Sequence, residues 1–421
     1  MQLGRAPTLA VGLSGGGDST ALLLALRRAA PDLKLAALIV DHGLRPESAS
    51  EAGRAAGFAR SIGAEARVLR WDAPRPGQNA ARTARHLMLA RACAEIGAPV
   101  LCLGHTLEDR VETLRMRAAR PGSALRLAGP SGLDPSPVWP QGRGLLIARP
   151  FLSLRRKTLR AFLRAEGVDW IEDPSNADPA YERVRLRRAP IDPAAEAALL
   201  TFSDAAQAVR AAEGRAAFAL LGEAMRLCDL GIAALDRAGF AAAPRRVAIR
   251  AIEAVAAGVS GEADGPGPHA EVLLDALLAG RAASAAGVLL TASGRLGRDP
   301  GAAAGRADGA GGAEPLILPD NGAGVFDGRF EIGGPARIEA LGGRACPPEF
   351  ADAPAVFRPG LPVEASGGEA LAPQPMRLLA RDRIAARLLS PASPAWFDAL
   401  SDAARGVAAL AKAPARPNIR A

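Results

Sequence analysis

The chain of 421 residues has only four cysteines, Cys93, Cys102, Cys228 and Cys346, and no two of them form a C-x-x-C pair. That scarcity argues against a disulfide framework or a cysteine-held metal, and leaves buried small hydrophobes or free thiols. Lysine is scarcer still: Lys34, Lys157 and Lys412 are the only three. The formal net charge of +8 therefore rests almost wholly on arginine, and a basic balance favours a phosphate-rich partner. No uncharged apolar run reaches the length needed to span a bilayer. The opening "MQLGRAPTLAVGLSGGG" lacks the plan of a signal peptide, because its short apolar run leads straight into glycines. A cytoplasmic location with no membrane partner is expected. Two common phosphate loops are also missing: no G-K-[ST] follows the glycines, and G-x-G-x-x-G does not occur. No internal repeat stands out.

What is present is a globular composition, 49% apolar, in a chain long enough for two or three domains. Its first 150 residues alternate two kinds of segment. "TLAVGLS", "LKLAALIVDH", "EARVLRW" and "APVLCLGH" are apolar runs bounded by turn residues, suited to strands buried on both faces. Between them, helices are expected over 19–30, 47–62, 79–96 and 107–119. This alternation implies an α/β fold with a doubly wound parallel sheet. Ligands in such sheets bind beyond the carboxyl ends of the strands. Three of those ends carry polar groups: "SGGGDS", "DHGLR" and "GHTLED".

The stretch "SGGGDS" has the ingredients of an anion site. Gly15, Gly16 and Gly17 free their N–H groups to form a nest, and the helix that follows adds the positive end of its dipole. Ser14 and Ser19 add hydroxyls. Asp18 either holds a magnesium ion or caps the helix. The bland alternative is a glycine turn. Asp41 and His42 could merely cap a loop.

The signature "SGGGDS" resembles that of the N-type ATP pyrophosphatases, the PP-loop family, which split ATP between its α and β phosphates. Within it, "DHGLRPESASEA", "NAARTARH", "LGHTLEDRVETLRMR" and "WIEDPSNADPAYERVRLRR" resemble the tRNA(Ile)-lysidine synthetases. The match runs from about residue 8 to about residue 190 and is loose beyond. The resemblance implies ATP as substrate with Mg2+. It implies adenylation of the wobble cytidine of a tRNA(Ile) with a CAU anticodon at its C2 oxygen. Free L-lysine then displaces AMP to give lysidine. Asp109 and Glu112, three apart on one helix face, would with Asp18 bind and deprotonate the lysine. His105 and Arg85 would sit near ATP and the activated base. Read alone, Asp109 and Glu112 are a solvated helix face, His105 a cap, and Arg82 and Arg85 surface charges. Two positions depart from the family pattern: Arg110 stands where glutamine is usual, and Pro121 separates Arg120 from Gly122.

Residues 1–190 are expected to form the PP-loop catalytic domain. A helical domain with tRNA contact would span 191–296, a flexible linker 297–315, and a small mixed α/β region 316–421. From Arg143 to Arg188 the chain has eleven Arg and Lys against six Asp and Glu. Arg155, Arg156, Lys157, Arg183, Arg185, Arg187 and Arg188 are read as tRNA backbone contacts rather than a solvated face. Asp173, Pro174, Ser175 and Asn176 are read as a turn. The rival functions are a PP-loop tRNA thiolase and a tRNA-binding protein without catalysis. Oligomeric state is open, a dimer included.

Overall fold

A computed structural model describes residues 8–43, 45–72, 78–122, 124–172, 182–262, 267, 269–305, 312–319, 322–334, 336–366, 369–373, 375–391 and 406–409. The chain divides into two compact units, 1–210 with 391–421, and 211–390.

The first unit is built on one sheet. Its strands are β1 (Leu9–Gly12), β2 (Leu35–Asp41), β3 (Glu65–Arg70), β4 (Val100–Leu103), β5 (Leu133–Pro135) and β6 (Leu146–Ala148), in the order β3-β2-β1-β4-β6-β5. All neighbours are parallel except β5, which runs antiparallel to β6 at the edge. The apolar runs become strands because both faces are covered. Val11, Leu35 and Cys102 meet one hydrophobic layer, and Ala10, Leu38 and Leu101 meet the other. The helices of this region are α1 (Gly17–Ala29), α2 (Ser48–Ser61), α3 (Gln78–Glu95), α4 (Leu107–Ala118), α5 (Arg156–Ala165) and α6 (Glu182–Arg188). Helices α1, α2 and α5 supply the first layer, through Leu22, Ala55 and Phe162. Helix α3 supplies the second, through Leu89 and Cys93. In α5 the residues Leu159, Phe162 and Leu163 form the buried stripe, spaced as an amphipathic helix requires.

The strand order reverses between β1 and β4. In a doubly wound sheet that switch point opens a crevice beyond the strand ends. The segments "SGGGDS" and "GHTLED" both leave the sheet there, side by side. Gly104 makes the closeness concrete: a Cβ on it would stand 2.8 Å from the carbonyl oxygen of Asp18.

Helix α7 (Pro193–Ala224) follows, and the division between the units falls within it. The second unit holds α8 (Arg237–Ala242), α9 (Arg245–Ser260) and α10 (His269–Ala279). With them lies an antiparallel sheet of β7 (Met225–Leu227), β8 (Ala233–Leu235), β9 (Ala283–Ala285), β10 (Val288–Leu290) and β11 (Arg295–Arg298). Strands thus interleave with the helices expected over 191–296. The stretch 297–315, expected as a linker, begins as structure: β11 ends at Arg298, and α11 (Pro300–Ala304) follows. The reason is local. Asp299 accepts from the N–H of Gly301 as N-cap, and Pro300 starts the helix. The remaining strands are β12 (Leu316–Leu318), β13 (Ala323–Phe326), β14 (Phe330–Gly333), β15 (Ala336–Ala340), β16 (Pro362–Ser366), β17 (Glu369–Leu371) and β18 (Met376–Leu378). They form two small antiparallel sheets, and α12 (Ala380–Leu388) packs on α9.

Candidate active site

The glycine corner closes on itself. The N–H of Ser14 donates to Ser19 Oγ at 3.1 Å, Ser19 Oγ donates to the carbonyl of Gly16 at 3.0 Å, and the N–H of Gly16 donates to Ser14 Oγ at 3.3 Å. Gly15 has φ +80°, and a Cβ there would meet Ile171 Cδ1 at 2.5 Å. The N–H of Ile171 donates to the carbonyl of Gly15 at 2.9 Å, and the Trp170 indole lies against Gly17. Some of the close approach that the glycines imply is therefore made by the chain itself. The N-cap of α1 is Gly16, so Asp18 is not the cap. It sits in the first turn with its carboxylate turned elsewhere.

That carboxylate meets Arg156. The guanidinium of Arg156 donates through Nε to Asp18 Oδ2 at 3.1 Å, through Nη2 to Asp109 Oδ1 at 2.5 Å, and through Nη1 to Glu112 Oε1 at 3.3 Å. Arg187 adds Nε to Glu112 Oε1 at 2.7 Å and Nη2 to Glu112 Oε2 at 3.3 Å. Three carboxylates from α1 and α4 thus surround one cation from α5. Asp109 is held further by its own helix start. Its Oδ2 accepts the N–H of Thr106 at 2.8 Å and the hydroxyl of Thr106 at 2.9 Å, closing a capping box. Glu108, also in the first turn of α4, accepts the N–H of Arg156 at 3.0 Å and so seats the start of α5. The two aspartates respond in opposite directions. Burial pushes Asp18 above the ordinary carboxylate range, and the pull of Arg156 does not offset it. Burial acts on Asp109 too, but the charge of Arg156 and the Thr106 N–H outweigh it and hold Asp109 below that range.

His105 leaves the end of β4 beside this cluster. Its Nδ1 accepts from Arg149 Nε at 3.2 Å, and Arg149 Nη1 pairs with Asp134 Oδ2 at 2.6 Å. Burial first, then Arg149, Arg82 and Arg85, push His105 down to about 3, against the opposing pull of Asp109. The imidazole is neutral. Arg82 and Arg85 on α3 touch solvent, yet the protein crowds round them: burial is the first cause lowering both, followed by repulsion from Arg183. His86 is pushed down to about 4 by burial, Arg82, Arg85 and Arg149. The crevice thus has an acidic flank on α1 and α4 and a basic flank on α3 and β6. Asp41 stands aside from both. Its Oδ1 accepts from the N–H of Gly43 at 3.0 Å and from Ser48 Oγ at 2.7 Å, which shapes the loop after β2.

The basic residues separate into two groups. Arg156 and Arg187 were expected on tRNA phosphates, but their guanidinia turn into the acidic cluster, because the three carboxylates there need counter-charge. Arg155 pairs with Glu196. Lys157, Arg185 and Arg188 are exposed, and Arg183 is half-buried beside Arg82 and Arg85. Arg110 reaches Ser203 Oγ at 3.2 Å and pairs with Asp204, so it ties α4 to α7. Pro121 lies in a turn whose carbonyl is held by Arg126. The turn at Asp173, Pro174, Ser175 and Asn176 lies outside the described residues. Arg149 went unrecognised in the sequence. It directly follows β6, a strand of three residues, and its place at a fifth strand end is the signal that could have found it.

Taken together, a doubly wound sheet with a glycine corner and a carboxylate cluster at its switch point is the architecture of the PP-loop class, and residues 3–193 match the family model of the PP-loop domain. The chain is 42% identical over 245 residues to a tRNA(Ile)-lysidine synthase of Hyphomonas neptunium, a match covering 58% of this chain and 66% of the relative. It is 48% identical over 190 residues to that of Caulobacter vibrioides, covering 44% and 45%. It is 40% identical over 270 residues to that of Methylobacterium nodulans, covering 62% and 78%. The chain belongs to the tRNA(Ile)-lysidine synthase family. It spans just under two thirds of the Hyphomonas relative's length and less than half of the Caulobacter relative's. No helix among the described residues is long and apolar enough to cross a membrane.

Proposed function

We propose that this protein ligates free L-lysine to C2 of the wobble cytidine of a tRNA(Ile) with a CAU anticodon, in the cytoplasm, with MgATP as co-substrate. The observation that carries the reading is the gathering of Asp18, Asp109 and Glu112 round one cationic group beside the glycine corner. In the first step the C2 oxygen of the base attacks the α-phosphorus of ATP, the bond to the β-phosphate oxygen breaks, and pyrophosphate leaves. In the second the lysine amine attacks C2, and AMP leaves with the oxygen. The amine must arrive with a carboxylate to take its proton, since free lysine is almost wholly protonated near pH 7. Asp109 is the base favoured by its place, with Glu112 and Asp18 holding the amine.

Among the described residues, no group of three or more His, Cys, Asp or Glu is arranged to hold a metal by itself. A magnesium carried in on a nucleotide needs only one or two carboxylates besides the phosphates, and Asp18 in the first turn of α1 fits that part. Such an ion would neutralise the departing pyrophosphate. The basic flank of Arg82, Arg85, Arg149 and Arg183 suits phosphates of the nucleotide or the tRNA. Neutral His105 suits contact with the base, where an imidazolium would add charge. Cysteine nucleophilic chemistry finds little support in the first unit: burial pushes the Cys93 thiol up to about 12 and the Cys102 thiol higher.

The test is incubation of the full chain with transcribed tRNA(Ile), MgATP and labelled lysine, followed by nucleoside analysis. Labelled lysidine with stoichiometric AMP and pyrophosphate is expected. Release of AMP without lysine in the tRNA would point to another nucleophile, and absence of any tRNA-dependent AMP would leave a binding protein.

A further inference from the structure

The acidic cluster is full. Arg156 touches all three carboxylates, and among the described residues no other cation does so. Arg187 reaches Glu112 fully and Asp109 only at 3.7 Å. Both oxygens of Asp109 are engaged, Oδ2 by Thr106 and Oδ1 by Arg156. The guanidinium is largely covered, with 19% of the Arg156 side chain exposed, and Glu112 is more enclosed at 5%. A substrate ammonium needs the same three carboxylates, in a space this small. The two cations exclude each other.

We propose that Arg156 is a resident stand-in for the substrate's ammonium, a positioning residue that keeps the amine site shut until nucleotide binds. This rests on the reading that free lysine is the amine substrate. The release follows from where Arg156 stands. Its Nε is bonded to Asp18, one residue beyond the glycines, at a corner suited to phosphate. A triphosphate arriving there offers the guanidinium a new anionic partner within a side chain's swing. Arginine binds phosphate and carboxylate with the same planar fork, so the exchange trades like for like. Once Arg156 turns to phosphate, Asp109 loses the charge that weakens it as a base, and the ammonium has room. Arg187 stays on Glu112 and keeps the emptied site from carrying three unbalanced charges. The device would order the reaction, nucleotide before amine, and would keep adventitious cations off the base. In thermodynamic terms Arg156 couples the two sites, and the coupling must be reciprocal.

The test is calorimetric titration of L-lysine into the full chain, with and without magnesium and the non-cleavable analogue α,β-methylene-ATP. For the wild type, lysine affinity should rise at least tenfold when the analogue is present. For Arg156→Gln, lysine should bind without the analogue at least tenfold more tightly than to the wild type, and the analogue should add little. Arg156→Lys keeps the positive charge among the carboxylates and so protects folding. Its compact ammonium lacks the planar fork and the reach of a guanidinium, so it holds the carboxylates less firmly, and it should give an intermediate affinity and an intermediate response to the analogue. Thermal unfolding of each variant checks that it is folded. A purely structural Arg156 would lower stability and leave the analogue's effect on lysine unchanged, and that result overturns the proposal. So does lysine binding to Arg156→Gln no more tightly than to the wild type. If the analogue binds but lysine binds to none of the three proteins in either state, the lysine reading fails, and the proposal with it.

Discussion

Arg149 donates through Nε to Nδ1 of His105 at 3.2 Å, so the imidazole proton belongs on Nε2. An arginine has no acceptor to offer, and the bond is made only by the neutral ring. The side chain that completes the basic flank therefore also sets the tautomer at the end of β4. Nitrogen-resolved NMR of the histidine side chains should find His105 as the Nε2–H tautomer at neutral pH. Arg149→Gln should raise its pKa toward the ordinary 6.5 and lower lysidine formation about tenfold or more, in the range that misplaced acid–base groups lose. An unchanged titration would detach Arg149 from His105.

Acid sensitivity follows from the same burial. His105 and His86 titrate at about 3 and about 4 in the folded chain, against 6.5 in an unfolded one. As pH falls through 6.5 the unfolded chain takes up protons that the folded chain refuses, so stability is lost progressively toward pH 4. The thermal midpoint should drop between pH 7 and pH 4.5, with the two histidines contributing throughout that interval. The double variant His86→Asn with His105→Asn should lose less over that interval. An equal drop would assign the loss to other groups.

Asp109→Asn should separate the two chemical steps. The amide can still accept the two Thr106 bonds, so the capping box survives in part, at a cost of about 1 kcal/mol or less. It can no longer take a proton from the amine. Adenylated tRNA should accumulate while lysine transfer falls about 100-fold or more. Equal loss of both steps would assign Asp109 to nucleotide binding.

The split among the arginines predicts a split in salt dependence. Neutralising Lys157, Arg185 and Arg188 together should flatten the plot of log tRNA affinity against log salt by roughly two to three units, at about 0.7 to 0.9 per phosphate contact. Arg187→Gln should leave that slope unchanged and raise KM for lysine instead. A flattened slope for Arg187→Gln would return it to the tRNA surface.

Gly104→Ala tests the closeness of the two strand ends. The new methyl would meet backbone atoms of α1 at 2.8 to 3.0 Å, which no rotamer can relieve. A loss of about 1–3 kcal/mol is expected from overpacking of this kind. Activity should fall further than stability does, because the displaced backbone carries Asp18. Wild-type activity in a folded Gly104→Ala protein would show that the position of Asp18 is not critical.

Much of the first unit was determined by the sequence alone. Strands buried on both faces are written as apolar runs, and "TLAVGLS" and "LKLAALIVDH" contain β1 and β2 within their bounds. The spacing of Asp109 and Glu112 is local, since residues three apart on a helix share a face whatever lies opposite. The glycine corner marks a place of close approach for the same reason: the backbone conformation is a property of those few residues. The partners were not local. Arg156 lies 138 residues from Asp18 and 47 from Asp109, and Arg149 lies 44 from His105. Nothing in a basic stretch of sequence tells which arginine turns inward. That depends on where α5 starts against α1 and α4, which Glu108, Leu159 and Phe162 settle by packing and one backbone bond. The strand β5, of three residues, is too short for periodicity to reveal; a strand end is legible where "ARPFLSL" begins, at the close of β6, but nothing local tells that Arg149 there meets His105. Local chemistry chose the groups, and the three-dimensional meeting of distant charges decided which of them face one another.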